Sequence, residues 1–196
     1  MQVLFTSPEN RLPEQTVAFL TNNATTKIFK KKTILVEEGN TFPYLGIIKK
    51  GGVRCYTVNE GKETVVSLLF EGDYLCDFRS FFSQIPTDFY FETLEETEID
   101  LVSYDFLNDC RSKDVQELRV LDQHLLLYQS KLFEDRLFIL LLDNAKARYQ
   151  KFMELHSEIM LRVPHYIIAS YLAVTPETLS RIRKKVFLER KKTRVA

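Results

Sequence analysis

The sequence predicts an α+β fold in which an antiparallel β-roll is followed by a group of helices. All six glycines lie in the first 72 of the 196 residues, between short runs rich in β-branched and aromatic side chains. Such punctuation is typical of short strands joined by turns. From about Asp105 onward, apolar residues recur every three or four positions instead of every two. This change of period predicts strands first and helices afterwards.

The predicted strands recur at a spacing of roughly ten residues, which favours a roll or barrel over a parallel βαβ sheet. They cover residues 27–36, 44–50, 52–58, 63–70, 89–93 and 98–103, and a short helix is expected before them over residues 12–20. Residues 59–62, Asn-Glu-Gly-Lys, suit a hairpin turn because glycine tolerates positive φ. We predict a β-roll domain over residues 1–110.

A long helix is predicted next, over residues 111–136. Five apolar residues in it follow each other at intervals of three, four, three and four, which places them on one narrow seam. They are Leu118, Leu121, Leu125, Tyr128 and Leu132. We expect this seam to contact the same helix of a second copy and form a homodimer; the alternative is that it packs on the chain's own β-roll. Six apolar residues in a row, 137–142, predict a buried helix in a second domain, residues 137–196.

Composition excludes several classes of protein. The 27 basic and 27 acidic residues cancel, so overall charge attracts neither nucleic acid nor membrane. From Arg181 to the end, however, eight basic residues are opposed only by Glu189. No apolar run reaches the roughly 18 residues of a membrane span, and the N-terminus has no secretory pattern, so we expect a cytoplasmic protein.

Three scattered cysteines predict no disulfide, metal or iron–sulfur site. We find no nucleophile–base pair or phosphate loop and do not expect an enzyme.

Residues 163–185 predict a helix-turn-helix. Pro164 suits the first position of one helix, and Thr175 followed by Pro176 is a good start for a second. The small Ala169 allows the two helices to cross closely. The outward face of the second helix then presents Arg181, which can pair with guanine, and Glu177, which can accept from cytosine. Side chains suited to phosphates flank them: Thr178, Lys184, Lys185 and the basic tail that includes Arg190.

In the order of these parts, the sequence resembles the Crp/Fnr family of bacterial transcription regulators. The resemblance extends from the segment KKTILVEEGN to the segment ETLSRIRKK, and it is strongest to the compact Bacteroidetes branch of the family. The resemblance implies a homodimer that binds a palindromic double-stranded operator, with RNA polymerase as a further partner. It places Glu177, Ser180 and Arg181 at base-reading positions and Thr178 at a phosphate contact. The alternative function is a cyclic-nucleotide or other small-molecule receptor module that acts through protein partners.

Two departures from the family pattern affect these expectations. The family's phosphate cassette holds a Gly-Glu pair and an arginine; here, after Gly72, those positions are occupied by Cys76-Asp77 and Thr87-Asp88. A carboxylate in place of a cation disfavours a cyclic phosphate, so we expect no cofactor and no cAMP binding, although Arg79 offers another cation and the surrounding aromatic residues suit an unknown apolar ligand. After the second helix, the sequence also lacks the turn residues that a β-wing would need.

Overall fold

The computed structural model describes residues 12–193 of the chain. In this part, eight strands form two antiparallel four-stranded sheets of order β1-β8-β3-β6 and β2-β7-β4-β5. Their bounds are β1 (Thr25–Phe29), β2 (Ile34–Val36), β3 (Tyr44–Lys50), β4 (Val53–Asn59), β5 (Lys62–Leu69), β6 (Tyr74–Leu75), β7 (Tyr90–Thr93) and β8 (Thr97–Ser103). The predicted antiparallel β-roll is confirmed.

Two turns explain how these strands are separated. The predicted strand over residues 27–36 is two strands, because Lys32 has φ 63° and its N–H donates to the carbonyl oxygen of Thr93 at 2.9 Å. The predicted hairpin is present, since Asn59 pairs with Lys62 across β4 and β5. Glu60 and Gly61 both have positive φ, at 50° and 77°, which is the conformation of a two-residue turn whose twist matches the strands.

The helices are α1 (Glu14–Asn23), α2 (Phe78–Ser83), α3 (Tyr104–Ser112), α4 (Gln116–Leu141), α5 (Ala145–His156), α6 (His165–Tyr171) and α7 (Pro176–Thr193), with a 3₁₀ turn at Ser157–Leu161. The mixed α+β architecture is therefore the predicted one. Within residues 12–193, no strand follows α6, so the described part of the chain holds no β-wing. None of the described helices combines the length and hydropathy that a bilayer span requires.

Two apolar clusters organise the described residues. The first fills the β-roll and joins it to α4; it includes Leu45, Ile48, Val53, Leu75, Phe81, Ile99, Leu118 and Leu121. The second joins the β4–β5 hairpin to the C-terminal helices; it includes Tyr56, Val65, Leu68, Phe70, Ile139, Phe152, Ile167 and Ile168. The helix-turn-helix therefore packs directly on the roll instead of extending away from it.

The long helix differs from the prediction at both ends. The chain turns after α3, where Asp114 has φ 55°, so α4 begins at Gln116 and not at residue 111. It then continues to Leu141, so the apolar run over residues 137–142 is not a separate buried helix. Ile139 is buried in this run, whereas Leu137 and Leu141 are exposed.

The structure contradicts the predicted role of the seam on α4 as a dimer contact. Leu118, Leu121, Leu125 and Tyr128 are at most 2% exposed because they pack into the core of the chain's own β-roll, and Leu132 packs at the edge of that core. Buried side chains cannot also form the contact with a second copy. The alternative interpretation of the stripe describes it correctly.

A buried hydrogen bond also fixes α4 on the roll. The Tyr128 hydroxyl donates to Asp73 Oδ1 at 3.1 Å and accepts from the Tyr74 N–H at 3.3 Å. Burial raises the pKa of Asp73 to about 6. The middle of α4 is therefore attached to the loop that leads into β6 by polar as well as apolar contacts.

Candidate nucleic-acid interface and ligand cavity

Helices α6 and α7 form the predicted helix-turn-helix. Ala169 in α6 is fully buried in the same apolar cluster as Leu179 in α7. Between the helices, Ala173 has φ 53°, a left-handed conformation that commonly ends a helix. The Val174 N–H donates to the Ala169 carbonyl oxygen at 3.0 Å and closes the turn.

The caps of these helices are partly as expected. The Thr175 hydroxyl accepts from the Thr178 N–H at 3.2 Å, and Pro176 begins α7, as predicted. Pro164 lies just before α6 instead of at its first position, and its carbonyl oxygen accepts from the Ile168 N–H at 3.2 Å. Its ring still fixes the backbone where α6 starts.

The outward face of α7 presents the predicted base-reading residues Glu177, Ser180 and Arg181, together with Lys184, which was predicted to contact phosphate. All four are exposed, and spacings of three and four place them on one side of the helix. Hydrogen bonds from the backbone and from the Thr175 hydroxyl lower the pKa of Glu177, which is therefore an anion at the positive end of the helix. This face offers a carboxylate, a hydroxyl and two cations to an external partner.

The residues predicted to contact phosphates lie around this face. Thr178 is half-buried, and its hydroxyl accepts from Arg181 Nη2 at 3.3 Å. Lys185 is exposed at the edge of the face. The side chain of Arg190 lies outside the described residues. Thr178 thus orients the arginine beside it, in addition to any contact of its own.

The cassette residues satisfy one another. Asp77 caps α2, and its Oδ2 accepts from the Thr87 hydroxyl at 2.6 Å. Arg79 Nη2 donates to Asp88 at 2.5 Å on the exposed surface. The position expected to supply a cation to a phosphate therefore holds a threonine bonded to the neighbouring carboxylate, and the nearby arginine is paired with another carboxylate.

Gly72 and Cys76 have backbone and packing roles. Gly72 has φ 88°, a conformation that favours glycine, and its N–H donates to the Ile48 carbonyl oxygen at 2.7 Å. The Cys76 thiol is buried, and burial raises its pKa well above the ordinary value. Neither residue supplies a charge that would bind a nucleotide.

A cavity of about 480 Å³ opens beside the cassette, between the roll, α4 and the C-terminal helices. Its size falls in the range of small-molecule sites. Aromatic residues line much of it, among them Tyr74, Phe78, Phe89, Phe91 and Phe133. His156 and Tyr171 belong to the wall formed by the C-terminal helices. The cavity therefore touches both the sensor-like roll and the helix-turn-helix.

Two arginines that the sequence analysis did not single out join the halves of the molecule. Arg136, on the cavity wall, donates to the carbonyl oxygens of Tyr171 and of Val65, the latter at 3.3 Å, and lies 4.1 Å from the centre of the Tyr171 ring. Burial lowers its pKa. The partners of Arg136 come from α6 and β5, far apart in sequence, so no local pattern predicts this contact.

Arg162 makes the second of these connections. Its guanidinium donates to Glu71 at 2.7 and 2.9 Å, to Glu95 at 2.5 and 3.0 Å, and to the Gly51 carbonyl oxygen at 3.0 Å. Gly51 has φ 97°, and a Cβ there would lie 2.6 Å from the Glu96 carbonyl oxygen. The only sequence signal was one arginine between Leu161 and Val163, which does not identify its partners.

The exposed side of α4 carries a second apolar stripe. Its members are Leu126, Phe133, Leu137, Leu140 and Leu141, at spacings that keep them on one side of the helix together with Ser130. Phe133 is 68% exposed. A stripe of this size on a free surface is typical of a protein contact.

Comparison with known proteins agrees with this architecture. Residues 26–114 match the family model for the cyclic nucleotide-binding domain. The chain is 26% identical over 167 residues to the anaerobic regulatory protein of Haemophilus influenzae, covering 80% of this chain and 64% of that protein. It is also 26% identical to the regulatory protein HlyX of Actinobacillus pleuropneumoniae, covering 80% and 69%. The structure of FixK2 from Bradyrhizobium japonicum has a TM-score of 0.72 at 22% identity and 85% coverage of both chains.

The fold and the site together define a class of protein in which a cyclic nucleotide-binding domain is joined by a long helix to a helix-turn-helix. The chain is similar to the Crp/Fnr family in this architecture, as the resemblance in its sequence predicted. It spans less than two thirds of the length of the Haemophilus influenzae relative.

Proposed function

We propose that the protein is a sequence-specific DNA-binding transcription regulator that acts as a cytoplasmic homodimer. The observation that carries this proposal is the exposed face of α7, where Glu177, Ser180 and Arg181 stand together on a capped helix packed against α6. An α-helix fits the major groove, where arginine reads guanine and glutamate reads cytosine. The relatives at 26% identity are named as regulatory proteins, which supports the same role.

The dimer contact proposed here differs from the predicted seam. Leu126, Phe133 and Leu137 are exposed on α4, and the first two also line the cavity. Two such stripes from antiparallel or parallel copies can bury each other. The contact leaves the opposite side of α4 packed in the roll. A dimer joined in this way presents two α7 helices to two half-sites of a palindromic operator.

The other basic residues of α7 supply the nonspecific part of binding. We expect Lys184 on the outward face and Lys185 at its edge to contact phosphates. The contact predicted for Arg190 lies outside the described side chains. Because each neutralised phosphate releases counterions, binding weakens with salt at a log–log slope near −0.9 per contact. A duplex-binding assay at several salt concentrations measures this number of contacts.

Substitutions on α7 test the assignment of roles. Arg181→Ala should cost about 1–3 kcal/mol and relax preference at one base pair, whereas Lys185→Ala should weaken all duplexes alike and make the salt slope shallower by about 1. Lys27→Ala, an exposed lysine on β1, is the matched control and should change neither quantity. Unchanged sequence preference in Arg181→Ala would show that another face reads the bases. A receptor module acting through protein partners would instead bind no duplex even at low salt.

A further inference from the structure

Thr178 lies between the two charged base-reading residues on α7. It follows Glu177 directly and precedes Arg181 by three positions, and it is half-buried whereas both of them are exposed. The Arg181 Nη2 donates to the Thr178 hydroxyl oxygen at 3.3 Å. Of the groups in the described part of the chain, the Arg181 guanidinium donates to this hydroxyl and to no carboxylate. One neutral side chain therefore determines where this cation lies.

The cap of α7 fixes the hydroxyl that Arg181 contacts. The Thr175 hydroxyl oxygen accepts from the Thr178 N–H at 3.2 Å, and the Thr175 hydroxyl also donates to Thr178 Oγ1 at 3.2 Å. Thr178 Oγ1 thus accepts hydrogen bonds from the cap on one side and from Arg181 on the other. A β-branched side chain in a helix also has a restricted χ1 angle. The position of the Thr178 hydroxyl is therefore set before any DNA is bound.

Glu177 and Arg181 could otherwise pair with each other. A glutamate four residues before a basic residue is a favourable arrangement for an ion pair within a helix. In the structure, hydrogen bonds from the backbone and from the Thr175 hydroxyl hold the Glu177 carboxylate, and Thr178 holds the Arg181 guanidinium. An ion pair between the two would engage the groups that guanine and cytosine need as partners. The two threonine hydroxyls keep both groups available.

We propose that Thr178 is a positioning residue for base reading, and that its hydroxyl holds Arg181 away from Glu177 and directs the guanidinium into the major groove. The inference rests on the proposed DNA-binding function and deepens it. It differs from the phosphate contact that the family resemblance implies for Thr178. A phosphate contact carries no sequence information of its own, whereas a positioning residue changes the preference of Arg181 for its base.

Thr178→Val removes the hydroxyl from the full chain and keeps the side-chain shape and the backbone N–H bond to Thr175. An arginine–guanine pair discriminates against other bases by roughly 5- to 150-fold. We expect Thr178→Val to lower this discrimination roughly fivefold. The measurement is the ratio of Kd values for a selected duplex and for the same duplex changed at the base pair that Arg181→Ala identifies. Thr178→Ser keeps the hydroxyl and should retain the wild-type ratio.

Two further variants serve as controls. Thr25→Val makes the same change at an exposed position on β1 and should leave the Kd values for both duplexes unchanged. Thr178→Ala also lacks the hydroxyl but has a higher helix propensity than valine, so it gives the same test if Thr178→Val melts below the wild type. Both variants without the hydroxyl should show the same loss of discrimination.

A double variant separates positioning from direct contact. In an Arg181→Gln background, Thr178→Val should cause no further loss of discrimination at this base pair, because the residue through which Thr178 acts is absent. Equal weakening of all duplexes by Thr178→Val, with the discrimination retained, would show that Thr178 is a phosphate contact only and would overturn the proposal. Wild-type discrimination in folded Thr178→Val and Thr178→Ala would overturn it as well.

A measurement without DNA distinguishes failure of this proposal from failure of the proposed function. NMR titration of the Glu177 carboxylate at low salt should give a lower pKa in Thr178→Val than in the wild type, because the released guanidinium pairs with Glu177. Thr178→Ser should restore the wild-type pKa, and in the Arg181→Gln background Thr178→Val should leave it unchanged. An unchanged Glu177 pKa in Thr178→Val would refute the positioning role. If the wild type binds no duplex at any salt concentration, the DNA-binding function fails, and this titration alone decides whether Thr178 positions Arg181.

Discussion

Replacing Leu137 by alanine should weaken the dimer, whereas the same replacement at Leu125 should weaken the fold. Leu137 is 44% exposed on the solvent side of α4, and Leu125 is 1% exposed in the core of the β-roll. The two residues lie on one helix and undergo the same chemical change. They therefore separate the contact with a second copy from packing within the chain.

The magnitudes follow from these exposures. Complete burial of a leucine side chain contributes about 2 kcal/mol, so the exposed part of Leu137 contributes about 1 kcal/mol per copy and about 2 kcal/mol per dimer. This corresponds to roughly a 30-fold increase in the dimer dissociation constant. Leu125→Ala leaves a cavity in a packed core and should lower the free energy of unfolding by about 2–5 kcal/mol.

Sedimentation equilibrium over a range of concentrations measures the first effect, and denaturant unfolding measures the second. The Leu137→Ala dimer should dissociate at protein concentrations at which the wild type is still a dimer. The slope of its denaturation curve should be the same as that of the wild type. Leu125→Ala should unfold earlier. If Leu125→Ala gave a stable, folded monomer while Leu137→Ala remained as dimeric as the wild type, the buried stripe would be the dimer contact and the reasoning would be refuted.

Four further outcomes are expected. Arg162→Met removes the guanidinium between Glu71 and Glu95 and should lower the unfolding free energy by about 1–2 kcal/mol, allowing for its partial exposure; an unchanged denaturation midpoint would contradict this. Ala169→Val adds two methyl groups at a fully buried position and should cost about 1–3 kcal/mol in a melting experiment, whereas no loss would show free space there. Because burial lowers the pKa of His156 to about 4, the stability it contributes above pH 6.5 should be lost as pH falls towards 4, by up to about 3 kcal/mol; His156→Phe should show a shallower decline than the wild type over that range, and parallel curves would count against the assignment. Addition of 1 mM cAMP should change DNA affinity less than twofold, and a larger change would show that the cassette still binds the nucleotide.

The β-roll and the helix-turn-helix were predictable because their signals are local. Gly61 marks a hairpin whose two central residues need positive φ, and Thr175-Pro176 marks a helix start through the cap that the threonine forms. Both the hairpin turn and the helix cap involve only residues that are close neighbours in the sequence. Local geometry of this kind is present in the sequence without knowledge of what packs against it.

The partner of α4 was not predictable from the same evidence. The spacing of Leu118 and Leu125 requires an apolar surface opposite the helix but does not say whether a sheet of the same chain or a second helix provides it. The outer stripe was harder to recognise because Ser130 interrupts it. The cavity and the contacts of Arg162 join residues about one hundred positions apart, so they exist only once the chain has folded.

The most direct test of the DNA-binding proposal is selection of duplexes from a randomised pool by the purified chain. We expect enrichment of an inverted repeat whose half-sites are centred about 10–10.5 base pairs apart, or a multiple of that distance. Arg181→Ala should lose preference at one position of each half-site. If the duplexes retained at low salt have the same sequence distribution as the starting pool, the protein is not a sequence-specific DNA-binding regulator.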